Sequence, residues 1–249
     1  MTIAPTTPVP AESIRTYARL AGVLGLITVV AGGFGEVYVP DTLIVSGDPR
    51  ATAQRILGNE SLFRLGFASY LLEAVCDATL TMLFWVLVRP VHRNLAMLMV
   101  VFRVISTCGF GASQVLHFGA LTTLLSDQTT SALQPVQRDA IAYLLLRIAG
   151  FGGTLFSTFY GLANVCFGWL VYRSGYIPRV FGVGIILTGG SFAVHTLLLI
   201  LAPAYASGLL LATAAIAFIP FVTWLLVKGV DDDKVRRAVS GGTGRLIQD

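Results

Sequence analysis

The sequence predicts an all-α fold, a polytopic membrane bundle of about six transmembrane helices with both termini in the cytoplasm. Three observations carry this. Hydrophobic residues make up 55% of the 249-residue chain and charged residues only 12%, against roughly 25% charged in a soluble domain. Mean hydropathy is +0.77, so the chain cannot cover a globule of this size with polar groups. The apolar residues also fall in runs of about 20, the length that crosses about 30 Å of hydrocarbon at 1.5 Å per residue.

Six spans follow, roughly Tyr17–Val39, Leu62–Val88, Leu95–Leu124, Ile141–Tyr172, Arg179–Ala202 and Gly208–Val227. Ahead of the first, residues 1–14 read as a disordered tail, with Pro and Thr concentrated in Met1–Pro10. That stretch lacks a charged n-region and a small-residue cleavage site, so the first span is expected to be retained. Between the first two spans, Asp48-Pro49 marks a turn and Ala51–Leu57 reads as a short interfacial helix. The fourth run is long, about 48 Å as a helix. Either its start projects beyond the bilayer or Gly150-Phe151-Gly152-Gly153 kinks it, and the kink is the preferred expectation. Residues 15–228 thus form the membrane domain, and 229–249 a cytoplasmic tail that opens with Asp231-Asp232-Asp233 and Lys234, Arg236 and Arg237.

Orientation follows from the basic residues. Arg15 and Arg19, Arg89 and Arg93, Arg173 and Arg179, and Lys228 fall at alternate span ends, while the opposite loops are poorer in positive charge or balanced, with Asp127, Arg138 and Asp139 in one of them. The positive-inside rule places the basic side in the cytoplasm, as expected of a prokaryotic cell membrane. The net charge of +4 forms no patch for nucleic acid, and membrane lipids are the expected surroundings. Cys76, Cys108 and Cys166 are widely spaced within apolar runs, which suggests packing rather than disulfides or zinc.

Function is sought where polarity intrudes on the spans. Glu73 and Asp77 stand four residues apart, on one helix face near mid-membrane, where an ionisable group is expensive. Counting from the cytoplasmic ends puts Asp77, Arg103 and Asn164 at about 14–16 Å depth, and Tyr160, Glu73 and His195 at about 20–24 Å. These six residues are expected to converge. On the third span, Arg103, Thr107, Phe110, Gln114 and His117 fall within roughly 80° of arc at 100° per residue, a polar stripe. A second, outer cluster of Glu36, Arg64, His117 and Arg147 comes out at about 30–39 Å by the same counting.

Asp77 with Arg103 forms either a structural ion pair or part of a reacting centre. Arg103 cannot neutralise two carboxylates, so Glu73 is expected to hold its proton and to act as an acid. The candidate catalytic set is Glu73, Asp77 and Arg103, and the candidate substrate-binding set is Glu36, Gln114, His117, Tyr160, Asn164 and His195. No metal and no cofactor is expected. His117 and His195 differ by about 12 Å in depth, and no H-E-x-x-H or H-x-x-x-H is present. P-loop, dinucleotide and G-x-S-x-G motifs are absent, and Gly22-x-x-Gly25 and Gly182-x-Gly184 read as helix-packing positions.

Three stretches resemble a known family. They are Ser61-Leu-Phe-Arg-Leu-Gly66 leading into Cys76-Asp77, Arg89-Pro-Val91 followed by Phe102-Arg103, and Tyr172-Arg-Ser-Gly-Tyr-Ile-Pro-Arg179 with Gly182. Over about residues 15–205 the chain resembles the bacterial and archaeal membrane-protein family catalogued as domain of unknown function 4386. The resemblance implies recurrent polar positions at Glu36, Arg64, Asp77 and Arg103, and it names no activity. Many members carry His two residues after the Gly of the fourth span's Phe-Gly motif, where this chain has Ala163 after Tyr160-Gly161-Leu162. An activity that needed that imidazole is not expected here.

Three function classes remain open. The leading one is an enzyme acting through buried carboxylates on a lipophilic small molecule, an isoprenoid or a lipid. The others are a proton-coupled small-molecule transporter and a regulatory or structural subunit. Substrate and oligomeric state are not fixed by the sequence.

Overall fold

A computed structural model describes residues 11–125, 133–230, 233 and 235. The tail residues 1–10, the outer-loop Asp127, and Asp231, Asp232, Lys234, Arg236 and Arg237 with the rest of the C-terminal tail lie outside the described residues. The described chain is helical without strands. It contains six helices long and apolar enough to cross a membrane, and it is a multi-pass membrane protein.

The first span differs most from expectation. Helix α1 (Ala11–Gly32) runs on through a π-helical turn, Gly33–Tyr38, into α2 (Val39–Leu43), and the apolar stretch is Ile14–Leu43 rather than Tyr17–Val39. Residues 11–14, expected in the tail, are helical. The π turn has a local cause. Pro40 lacks an N–H and its ring would strike the carbonyl of Glu36 in an α-helix. The wider turn, closed by Val39 N–H to the Phe34 carbonyl, relieves that clash.

Helix α3 (Pro49–Gly58) begins where Asp48-Pro49 predicts, with the Asp48 side chain accepting from Ala51 N–H at 2.9 Å. It buries Thr52, Ala53 and Ile56, and its preceding turn is tied to the fourth span by Gly47 N–H to the Tyr143 hydroxyl, 2.8 Å. The remaining spans are α4 (Glu60–Val88), α5 (Arg93–Leu125), α6 (Pro135–Ser174), α7 (Arg179–Leu201) and α8 (Leu209–Val227). Helix α6 has 40 residues and is α-helical without interruption across Gly150–Gly153. At about 1.5 Å per residue that is about 60 Å, twice the hydrocarbon thickness. The glycines are used for approach rather than for a break. A Cβ at Gly152 would lie 2.5 Å from Ser113 Oγ, and one at Gly153 would lie 2.8 Å from the Phe110 ring.

The helices close a ring: α1 packs on α4, α4 on α5, α5 on α6, α6 on α7, α7 on α8, and α8 back on α1. Glycine seams set several of these contacts. A Cβ at Gly22 would stand 2.6 Å from the Leu226 backbone nitrogen, and one at Gly168 2.7 Å from the Gly182 carbonyl oxygen. The α6–α7 connection turns at Gly175, whose φ of +72° favours glycine.

Two apolar cores result. One, at the end bearing Arg15, Arg89 and Arg173, draws Ala21, Phe84, Met99, Phe167, Ile185 and Phe221 from all six helices. The other, at the opposite end, joins α2, α3, α4, α5 and α6 through residues such as Leu43, Ile56, Phe63, Leu121 and Leu146. Helices α7 and α8 add nothing to the second core. Among the described residues of α8, buried positions occur only in its last two turns, at Phe221, Val222 and Leu225. The intruding polar residues lie on the stretches between these cores.

Candidate functional site

Helix α4 presents Asp77 to α5, where Arg103 Nη2 donates to Asp77 Oδ1. Thr107, one turn along α5, donates to Asp77 Oδ2 at 3.0 Å, so both oxygens are held. The guanidinium lies over two aromatic rings, Phe84 at 5.4 Å and Tyr160 at 4.9 Å. Tyr160 of α6 is within hydrogen-bonding reach of Arg103 and of Asn164, one turn further on. Arg103 is 1% exposed and Asp77 8%. Asp77, Arg103, Tyr160 and Asn164 therefore meet in one buried network across three helices.

The α5 stripe is a seam against α4. Arg103 and Thr107 bind Asp77, Phe110 packs on Tyr70 at 5.0 Å, and His117 stacks on Phe63 at 4.9 Å. Gln114, on the same face, is half-buried and bonds no described side chain.

Glu73 has a different environment. Its carboxyl lies against α1, where a Cβ at Gly32 would meet Oε1 at 2.7 Å and Oε2 at 2.9 Å. Ser69, one turn away, fixes the same seam by donating to the Ala31 carbonyl at 3.0 Å. Glu36, on the π turn, comes within hydrogen-bonding reach of Glu73. Two ionised carboxylates are acceptors only. In that form Glu73 Oε2 is buried without a partner, so a hydrogen bond between the pair requires a proton on one of them. Glu36 is exposed, Glu73 half-buried and Asp77 sealed.

The expected outer cluster does not assemble. Arg64 pairs with Glu60 at 2.6 Å, Arg147 is exposed, and His117 is committed to Phe63. The depth counting took every span to start in one plane. Counted from Tyr17, Gly32 is already level with Glu73 at about 22 Å, and Glu36, one turn further out on the π turn, reaches back to it. His195 is buried with Nδ1 unpartnered. It joins neither network by a hydrogen bond, although Phe192, nearly one turn before it, meets the Tyr160 ring edge-on at 5.6 Å.

With this geometry in place, comparison with known proteins is informative. The model of a family described as a domain of unknown function, DUF4386, matches residues 20–229. The chain belongs to that family. The match takes in most of the first span of this DUF4386 protein, the other five spans whole, and Glu36, Glu73, Asp77, Arg103, Thr107, Tyr160 and Asn164. An uncharacterized protein of Archaeoglobus fulgidus is 26% identical over 155 residues, which is 62% of this chain and 78% of the relative. No solved structure matches.

Several features of the DUF4386 site were not foreseen. Thr107 as the second ligand of Asp77 was visible as a stripe member but was given no role. The signal for the π turn was Gly32-Gly33-Phe34-Gly35-Glu36 shortly before Pro40. Cys76, Cys108 and Cys166 are all free. Among the described residues no cluster of His, Cys, Asp or Glu has the make-up of a metal site.

Proposed function

We propose that this membrane protein is an enzyme acting on a lipophilic substrate, an isoprenoid or a lipid, with Glu73 as its general acid. The observation that carries the reading is the Glu36–Glu73 contact. The two carboxyl groups come within hydrogen-bonding reach of each other, and the Arg103 guanidinium is held by Asp77 and two aromatic rings. Such a pair holds a proton between its members. Donation leaves two adjacent anions that readily take a proton back, which suits addition and recovery of one proton on a single substrate. Asp77 and Arg103 act as the rigid wall behind the pair, with Tyr160 and Asn164 completing it.

A groove of about 400 Å³ lined by Phe34, Leu65, Ala68, Ser69 and Leu72 borders the same α1–α4 seam, and its apolar lining supports a hydrocarbon substrate. The protein sits in a prokaryotic cell membrane with its basic end and both termini in the cytoplasm.

The test is lipid analysis of protein purified in nanodiscs, wild type beside Glu73→Gln and Glu36→Gln. A specific isoprenoid or lipid carried by the wild type and changed in amount or structure by either variant supports the enzyme. Identical profiles from equally stable proteins overturn it, and uptake driven by a pH gradient without product would replace it with transport.

A further inference from the structure

At the basic end, a second constellation lies apart from the carboxyl pair. Trp169 of α6, 38% exposed, carries Arg173 over its ring face at 5.2 Å. From the α4–α5 turn, the His92 ring meets the same indole edge-on, with centroids 6.4 Å apart and planes at 84°. Two nitrogen donors on different elements thus share one aromatic plate.

Their surroundings are fixed. The Tyr176 hydroxyl donates to the Leu87 carbonyl, Ile177 N–H donates to Ser174 Oγ, and Val88 and Val171 are fully buried in the core beneath. His92 Nδ1 accepts from Leu95 N–H at 3.1 Å. The imidazole proton is therefore on Nε2, away from the backbone and free to donate. Stacking occupies the flat face of Arg173 and leaves the N–H edge of its guanidinium open to an anion.

Among the described residues no carboxylate pairs with these groups. The ion pairs among the described residues are Arg64–Glu60 and Arg103–Asp77, both elsewhere. The arrangement recurs at the same end, with Arg89 over Trp85 at 4.8 Å and Arg179 over Tyr172 at 5.5 Å. At the start of α7, whose Arg179 meets Tyr172 one turn along α6 from Trp169, Val180 is 70% exposed and Val183 43%. A free anion has no use for that apolar surface, whereas acyl chains do.

We propose that Arg173 and His92, set on Trp169, hold the phosphate of an anionic phospholipid between the α4–α5 turn and the end of α6. The chains of that lipid lie along Val180 and Val183. The site is independent of the proposed enzymatic role.

Native mass spectrometry of the full chain, stripped in detergent and titrated with phosphatidylglycerol or phosphatidylcholine, tests it. The wild type should retain phosphatidylglycerol in preference to phosphatidylcholine, and Arg173→Gln should weaken that retention at least about tenfold, the scale of one charge-assisted hydrogen bond. Arg173→Lys, which keeps the charge and loses the planar fork, should fall between. Trp169→Leu provides a second variant should the first fail to fold, with the same loss expected. Equal retention of the two lipids, unchanged retention in the variants, or complete displacement by millimolar inorganic phosphate would overturn the assignment.

Discussion

Asp77→Asn tests the proposed division between a structural acid, Asp77, and a proton-donating one, Glu73. The substitution keeps the shape of the side chain and removes its charge, leaving Arg103 charged with 1% of its side chain exposed. Breaking a buried ion pair by removing one partner costs about 3–5 kcal/mol. The lower end applies here. Thr107 still has an oxygen to bond, and the rings of Phe84 and Tyr160 keep their hold on the guanidinium. A loss of about 3 kcal/mol in a chain of this size lowers the melting temperature by about 6–12 °C. The double variant Asp77→Leu/Arg103→Met replaces both ions with apolar groups and should recover most of the loss, because the desolvation cost of both charges disappears with them. Glu73→Gln should stay within about 1 kcal/mol of wild type, since it removes no cation's partner. Melting followed by tryptophan fluorescence in nanodiscs measures all three. A stable Asp77→Asn beside an unstable Glu73→Gln would refute the division of labour between the two carboxyls.

Three further perturbations test the frame. Gly32→Ala places a methyl 2.7 Å from Glu73 Oε1 and should move the carboxyl. Turnover should drop up to about a hundredfold with melting unchanged, the effect of a reacting group displaced by about 1 Å. Gly168→Val drives a side chain against the Gly182 carbonyl and the Ile186 backbone nitrogen of α7. It should cost about 1–3 kcal/mol in a thermal melt through separation of the helices. Tyr176→Phe removes the bond to the Leu87 carbonyl and should cost about 1 kcal/mol. Burial raises the pKa of the Tyr176 hydroxyl above the ordinary tyrosine range. The neutral phenol is therefore favoured by the fold: its contribution is complete below about pH 10 and is lost as pH rises through the raised value. Alkaline difference absorbance should show one fewer tyrosine resisting ionisation in Tyr176→Phe than in the wild type.

Much of this arrangement could be read from residue spacing. Arg103 and Asp77 were matched by counting from two chain ends that share one short turn, Arg89–Arg93, so their common reference plane was sound. The α5 stripe was legible because a straight α-helix turns 100° per residue, and four of its five residues, Arg103, Thr107, Phe110 and His117, do meet α4. The failures occur where those assumptions lapse. Glu36 counts about 6 Å further out than Glu73, a gap that two glutamate side chains at a π turn span, so it was assigned to an outer cluster instead of to Glu73. Gly150–Gly153 suggested a kink because glycine lowers helix propensity. The partners that make those glycines packing sites, Ser113 and Phe110, belong to another helix and leave no mark in the local sequence. His195 joins neither network by a hydrogen bond, since equal depth does not specify which way a helix face turns.

The assignment of roles depends on a shortage of cations. Glu36, Glu73 and Asp77 lie close enough to influence one another, and Arg103 is the buried cation among them. It bonds Asp77 through Nη2, lies over the rings of Phe84 and Tyr160, and keeps a buried Nε without a partner. Glu73 is one helical turn from Asp77, yet its carboxyl lies against Gly32, across the seam from the guanidinium. A fold that needed both acids only for packing would gain by giving the second a cation or by replacing it with an apolar residue, as buried ion pairs tolerate well. Instead a glycine removes the side chain that would fill the space, and a π turn brings in another acid. Both features favour an arrangement costly to stability and suited to holding a proton at the edge of an apolar groove.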